Sequence, residues 1–129
     1  MKKAIITAAI TGGIHTPTMS EHLPVTPRQI IDEILAVYEA GGTVCHVHVR
    51  DPDTGRPVSD TGLYREIISE VKRKCDIILC ITTGGGIGMT AAQRVQAVSE
   101  LGPELASFNA GSINFGLFHA VDKSNQTTC

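Results

Sequence analysis

The sequence predicts an α/β fold of about four β-α units around a parallel sheet. Two observations carry this. Short apolar runs alternate with helix-period stretches four times along the 129 residues. Strands that alternate with helices in this way form parallel sheets with helical crossovers. Two architectures satisfy the pattern, a doubly wound open sheet and part of a (β/α)₈ barrel. Each unit takes roughly 30 to 40 residues, so a full barrel needs ~250. The chain has the length of half of one.

The first strand is expected near 4–10, where Ala4 to Ile10 form a short apolar run. A helix then opens at Thr26-Pro27-Arg28-Gln29. Thr26 can cap it, Pro27 suits the first helical position and Gln29 completes a capping box. Ile30, Ile31, Ile34, Leu35 and Tyr38 follow at helical spacing, and Gly41-Gly42 ends the helix. The second strand is expected near 43–50. Asp51-Pro52-Asp53-Thr54-Gly55 reads as a turn-rich loop, and Leu63, Ile67, Ile68 and Val71 mark a helix from about Asp60 to Lys74. A third strand near 76–82 leads into Thr83-Gly84-Gly85-Gly86. Thr90-Ala91-Ala92-Gln93 is a second capping box, continued by Val95, Val98 and Leu101 and stopped by Gly102-Pro103. The fourth strand is expected near 104–109. The half-barrel then runs over 1–118, and 119–129 is a polar tail with no fifth unit, for which disorder is one expectation.

Composition narrows the partners. Eleven Lys and Arg against thirteen Asp and Glu give a formal net charge of −2, which leaves no footprint for nucleic acid. No apolar run approaches the ~20 residues that span a bilayer, and Met1 to Thr7 reads as a strand rather than a leader, so a cytoplasmic protein without membrane partners is expected. Cys45, Cys75, Cys80 and Cys129 form no C-x-x-C pair and are expected as free thiols.

Three polar clusters fall at the ends of predicted strands, where barrel enzymes keep their sites. The sharpest is His46-Val47-His48. Side chains alternate along a strand, so His46 and His48 share one face while Cys45, Val47 and Val49 share the other. Two neutral imidazoles side by side suit zinc, although two hydrogen-bonded buried histidines satisfy the same pattern. His15, His22 and His119 lie singly in expected loops and read as structural or exposed. The second cluster is Thr82-Thr83-Gly84-Gly85-Gly86. Its glycines let backbone N–H groups approach a carboxylate or phosphate, and its hydroxyls add donors. It lacks the Gly-Lys-Ser/Thr of a P-loop and the spacing of a dinucleotide fingerprint. The third is Ser107-Phe108-Asn109-Ala110-Gly111-Ser112, with Ser107 and Asn109 on one face.

These segments resemble the β-keto acid cleavage enzymes, a family that includes the 3-keto-5-aminohexanoate cleavage enzyme of lysine fermentation. The resemblance rests on Ala8 to Gly12, Leu23 to Pro27, His46-Val47-His48-Val49-Arg50, Thr82 to Gly85 and Asn109 to Gly116, in order over about 4–118. It implies the N-terminal half of a (β/α)₈ barrel with Zn²⁺ as cofactor, held by His46, His48 and a Glu from late in the barrel that has no counterpart here. It implies a Claisen-type exchange in which a 3-keto acid and acetyl-CoA give acetoacetate and a new acyl-CoA. The substrate carboxylate and keto group would lie near Thr82, Gly85 and Ser107. Ile14 stands where the lysine-fermentation enzyme has a Glu able to read an ammonium group, which points to a different acyl chain. No catalytic group is assigned within the chain, because the late-barrel Arg and acidic residues are missing. The resemblance further implies a homo-oligomer or association with a C-terminal half. The alternatives are a non-catalytic half-barrel and an α/β anion-binding module.

Overall fold

The computed structural model describes residues 3–84 and 88–109. Gly85, His119, Cys129, most of the Asn109–Gly116 segment and the expected tail lie outside the described residues. The elements run β1 (Thr7–Ala9), α1 (Pro27–Glu39), β2 (Val44–Val47), β3 (Val49–Arg50), β4 (Pro57–Val58), α2 (Thr61–Lys72), β5 (Ile78–Ile81), α3 (Ala91–Leu101) and β6 (Leu105–Ala106). Strands β1, β2, β5 and β6 form one parallel sheet in chain order, while β3 and β4 form a small antiparallel ladder.

The helices start where side chains replace missing backbone partners. Thr26 accepts from the Gln29 N–H while the Gln29 side chain accepts from the Thr26 N–H, and Thr90 and Gln93 repeat this reciprocal pair. Asp60 caps α2 by accepting from the Leu63 N–H. Helix α3 stops at Gly102, whose φ of 54° is the left-handed turn that glycine adopts without steric cost.

The fold is α/β with a parallel sheet in chain order, consistent with part of a (β/α)₈ barrel. A doubly wound sheet reverses its strand order and places helices on both faces. Here the order runs one way, so right-handed crossovers carry each helix to the same face. One core results. Ile30, Ile31 and Ile34 of α1, Tyr64, Ile67 and Val71 of α2 and Ala97 of α3 pack on Cys45, Val47, Leu79 and Ile81 of the sheet. Burying each large aliphatic side chain stabilises the fold by ~1.5–3 kcal/mol. The opposite face carries Thr7, Ala9, His46, Ile78, Cys80 and Leu105, exposed or half-exposed, and Val44, which is buried.

Several expected boundaries shorten. The strand expected near 4–10 pairs only over Thr7–Ala9, and Ile5 and Ile6 remain exposed at its free edge. Those expected near 76–82 and 104–109 reduce to Ile78–Ile81 and Leu105–Ala106. The strand expected near 43–50 breaks at His48. The reason lies in the neighbouring strand. Register pairs Ala9 with His46, so residue 11 stands beside residue 48, and there the Thr11 side chain replaces the ladder. Its hydroxyl accepts from the His48 N–H at 2.9 Å and donates to the His48 carbonyl at 3.1 Å. On α3, Val95 is exposed and Ala97 holds the buried position, because a small residue lets that helix approach its neighbours. Lys72 donates to the Ile77 carbonyl at 2.9 Å and pairs with Glu104.

The turn-rich loop after β3 is a hairpin connection. Asp51 Oδ1 accepts from the N–H groups of Asp53 and Thr54 and from the Thr54 hydroxyl. Gly55 has φ of 70°, and a Cβ there would lie 2.5 Å from Pro17 Cγ. Gly55→Ala should therefore cost about 1–3 kcal/mol, from left-handed backbone strain and from the displaced Pro17 loop. Urea denaturation of the variant checks this, and an unchanged midpoint would contradict it.

Candidate metal and carboxylate site

The C-terminal ends of β1, β2, β5 and β6 form one rim, and the sequence-predicted residues that the structure describes gather there. His46 extends from β2 on the face away from the helices, and His48 follows the strand break. Their rings stand edge to face with centroids 5.0 Å apart and Nε2 atoms 3.2 Å apart. The alternation argument thus describes the pair well, even though the ladder stops between them.

Two glycines make room for the second ring. A Cβ on Gly13 would lie 3.2 Å from His48 Cε1 and 3.3 Å from its Nδ1. A Cβ on Gly84 would lie 4.0 Å from His48 Cε1 and 3.1 Å from Thr82 Oγ1. His48 therefore sits between the loop after β1 and the glycine turn after β5, with Thr82 on the far side of that turn.

Thr82 is buried, and its hydroxyl accepts from the Gly84 N–H at 3.0 Å. The Ser107 hydroxyl accepts from the Thr83 N–H at 3.0 Å, and Thr83 returns a hydrogen bond to the Ser107 carbonyl at 2.7 Å. Each of the two accepting hydroxyls keeps its own proton to donate. Thr82 and Ser107 are thus tied to one turn, as strand-end hydrogen bonding requires, and both can still serve a carboxylate. Asn109 is exposed at the end of the described chain, and His15 and His22 are exposed in the loop after β1.

Burial sets the charge of the pair. Desolvation, then His46 and then Arg50 push the His48 pKa down to about 4. Desolvation also lowers His46, opposed by a hydrogen bond to the Cys80 backbone. Both imidazoles are neutral at pH 7, the state that ligates metal. Two nitrogens bound to one tetrahedral zinc at the usual 2.0–2.1 Å stand about 3.3 Å apart. The 3.2 Å separation suits two ligands of one such ion, and it equally suits a hydrogen bond when one ring donates. Among the described residues no group of three or more His, Cys, Asp or Glu stands together.

Sequence reasoning gave no role to Thr11 or Arg50. Arg50 is fully buried and donates to the carbonyls of Thr11, Gly12 and Gly55. A polar residue closing each of two apolar strands at the same rim was the available signal.

Comparison with known proteins fits this geometry. The model of the beta-keto acid cleavage enzyme family matches residues 3–128. The chain belongs to this family. Among curated relatives of the β-keto acid cleavage enzymes, it is 46% identical over 122 residues to the 3,5-dioxohexanoate:acetyl-CoA acetone transferase of Paraburkholderia graminis. That match covers 95% of this chain and 39% of the relative. The 3-keto-5-aminohexanoate cleavage enzyme of Fusobacterium nucleatum is 41% identical, over 90% of this chain and 42% of its own length. The 3-dehydrocarnitine:acetyl-CoA trimethylamine transferase of Rhizobium meliloti is 34% identical, over 90% and 45%. The chain spans about two fifths of the length of the family relatives it matches. No helix among the described residues is long and apolar enough to cross a membrane.

A pH dependence follows for the metal-free chain. The unfolded histidines take up protons near pH 6.5, whereas the folded site refuses them until lower pH, near 4 for His48. Below pH 6.5 the unfolded state binds more protons, so stability falls as pH drops from 7 toward 4. His48→Gln should flatten that decline in urea denaturations across this range. A slope untouched by the substitution would contradict it.

Proposed function

We propose that this chain supplies the first half of a zinc-dependent β-keto acid cleavage site. The reaction is the exchange of a 3-keto acid and acetyl-CoA for acetoacetate and a new acyl-CoA. Membership of the family and the acetyl-CoA transferases among its relatives support the reaction class. The single observation that carries the metal assignment is the pair of neutral imidazoles, Nε2 to Nε2 at 3.2 Å, at the rim of a one-way parallel sheet.

In this reading His46 and His48 hold Zn²⁺, which when bound acts as a Lewis acid on a keto oxygen. The rest is positioning. The Thr82 and Ser107 hydroxyls, each anchored by an N–H it accepts from, point a proton at the substrate carboxylate, and the Gly85 amide adds a donor. Preset donors of this kind fix the substrate without reorganising when it binds. The third zinc ligand, a late-barrel Glu, and the acid–base groups come from the region that the relatives have beyond this match.

The fold reading follows the same lines. Residues 1–118 form the N-terminal half of a (β/α)₈ barrel, 119–129 are a polar tail, and β1 and β6 are the edges that a second half would pair. That half is part of a longer chain, a separate C-terminal partner or, in a homo-oligomer, another copy. The protein works in the cytoplasm. Ile14 favours an acyl chain without an ammonium group, and 3,5-dioxohexanoate, the substrate in the name of the Paraburkholderia relative, carries no ammonium group.

Two measurements test this. Zinc titration with the chain is expected to show one site that His46→Ala combined with His48→Ala abolishes; zinc binding that survives both substitutions would remove the metal assignment. In the barrel completed with its second half, 3,5-dioxohexanoate should turn over faster than 3-keto-5-aminohexanoate with acetyl-CoA. Preference for the amino acid substrate would sink the Ile14 argument.

A further inference from the structure

Arg50 lies at the end of β3 with its whole side chain out of solvent. Among the described residues its hydrogen bonds go only to backbone carbonyls. Nη1 donates to Gly55 at 2.7 Å, and Nη2 donates to Thr11 at 3.1 Å and to Gly12 at 2.8 Å. Its Nε has no partner among those residues. A guanidinium carries its donors in a rigid planar fork, which suits carbonyls arriving from two different loops. One loop follows β1 and the other joins β3 to β4.

Two of the carbonyls that Arg50 holds, those of Thr11 and Gly12, belong to the segment that contacts His48. Thr11 clamps the His48 backbone through its hydroxyl at 2.9 and 3.1 Å. Gly13, next to Gly12, lies so close that a Cβ there would meet the His48 ring at 3.2 Å. No sheet partner fixes His48, because the ladder has broken at that residue. Its position depends on the loop after β1, and the position of that loop depends on the fork.

We propose that Arg50 is a positioning residue for the His46–His48 pair: through the Thr11–Gly12 carbonyls it holds the loop that sets the His48 ring against His46. Its bearing on zinc rests on the reading of the pair as ligands, whereas its bearing on the ring contact does not. Lysine at position 50 keeps the charge and most of the stem but loses the fork. Thr11→Val keeps the shape and removes the clamp, and Thr11→Ser keeps the hydroxyl.

The test follows the rings of His46 and His48 in the metal-free chain by nuclear Overhauser contact, then titrates the same samples with zinc. The wild type and Thr11→Ser should show the ring contact and equal zinc affinity. Arg50→Lys and Thr11→Val should lose the contact and bind zinc at least tenfold more weakly, while amide spectra of the helices stay native. A folded Arg50→Lys with the wild-type ring contact and zinc affinity overturns the proposal. If Arg50→Lys does not fold, Thr11→Val decides: an intact ring contact there overturns it. A wild type that shows the ring contact but binds no zinc would refute the metal reading alone, and the contact in the variants would still judge Arg50.

Discussion

Parallel register is the constraint on which the rest of the molecule depends. Pairing Ala9 with His46, and His46 with Cys80, makes the strands finish side by side. Everything that follows a strand then meets at one rim: Thr11 to Gly13, His48, Thr82 to Gly84, and Ser107. A one-residue slip would turn His46 into the helix-covered core and Cys45 out of it. The apolar set Cys45, Val47, Leu79 and Ile81 forbids that slip, so the packing of the core and the aim of the site are one specification.

At the rim the backbone leaves regular structure, and side chains take over its hydrogen bonds. Thr11 stands in for a strand at His48, Ser107 and Thr82 accept the N–H groups of the glycine turn, and Asp51 ties its own loop. These substitutions satisfy buried polar groups that would otherwise be costly. They also hold these loop segments close together. Low solvent access then keeps both imidazoles uncharged, and the nearby buried guanidinium adds to that effect at His48.

Among the described residues the helices pack on one face of the sheet. The other face presents His46, Ile78, Cys80 and Leu105, and the β1 edge presents Ile5 and Ile6. The distribution is uneven in a useful way. The helix-facing side is densely apolar, while the other side is sparser and holds the His46–His48 pair.

The local signals in the sequence were strong where the physics is local. Both capping boxes, the Gly102 stop and the period-2 alternation that puts His46 and His48 on one side depend only on neighbours in the chain, and they stand in the structure. Val95 misled because helical spacing marks an apolar face but does not say how closely a neighbour approaches; Ala97 fills that contact by being small. The break at His48 was not visible either, because it depends on Thr11, 37 residues away. The same holds for Arg50, whose carbonyl partners at Thr11 and Gly12 precede it by 39 and 38 residues. The sequence by itself determined the four units, their order and the residue types at each strand end. Only the tertiary structure decided that the sheet runs one way, that a hydroxyl replaces a strand at His48, and that a buried cation holds the loop beside it. Those features arise from contacts between segments that sequence spacing keeps apart and that parallel register alone brings together.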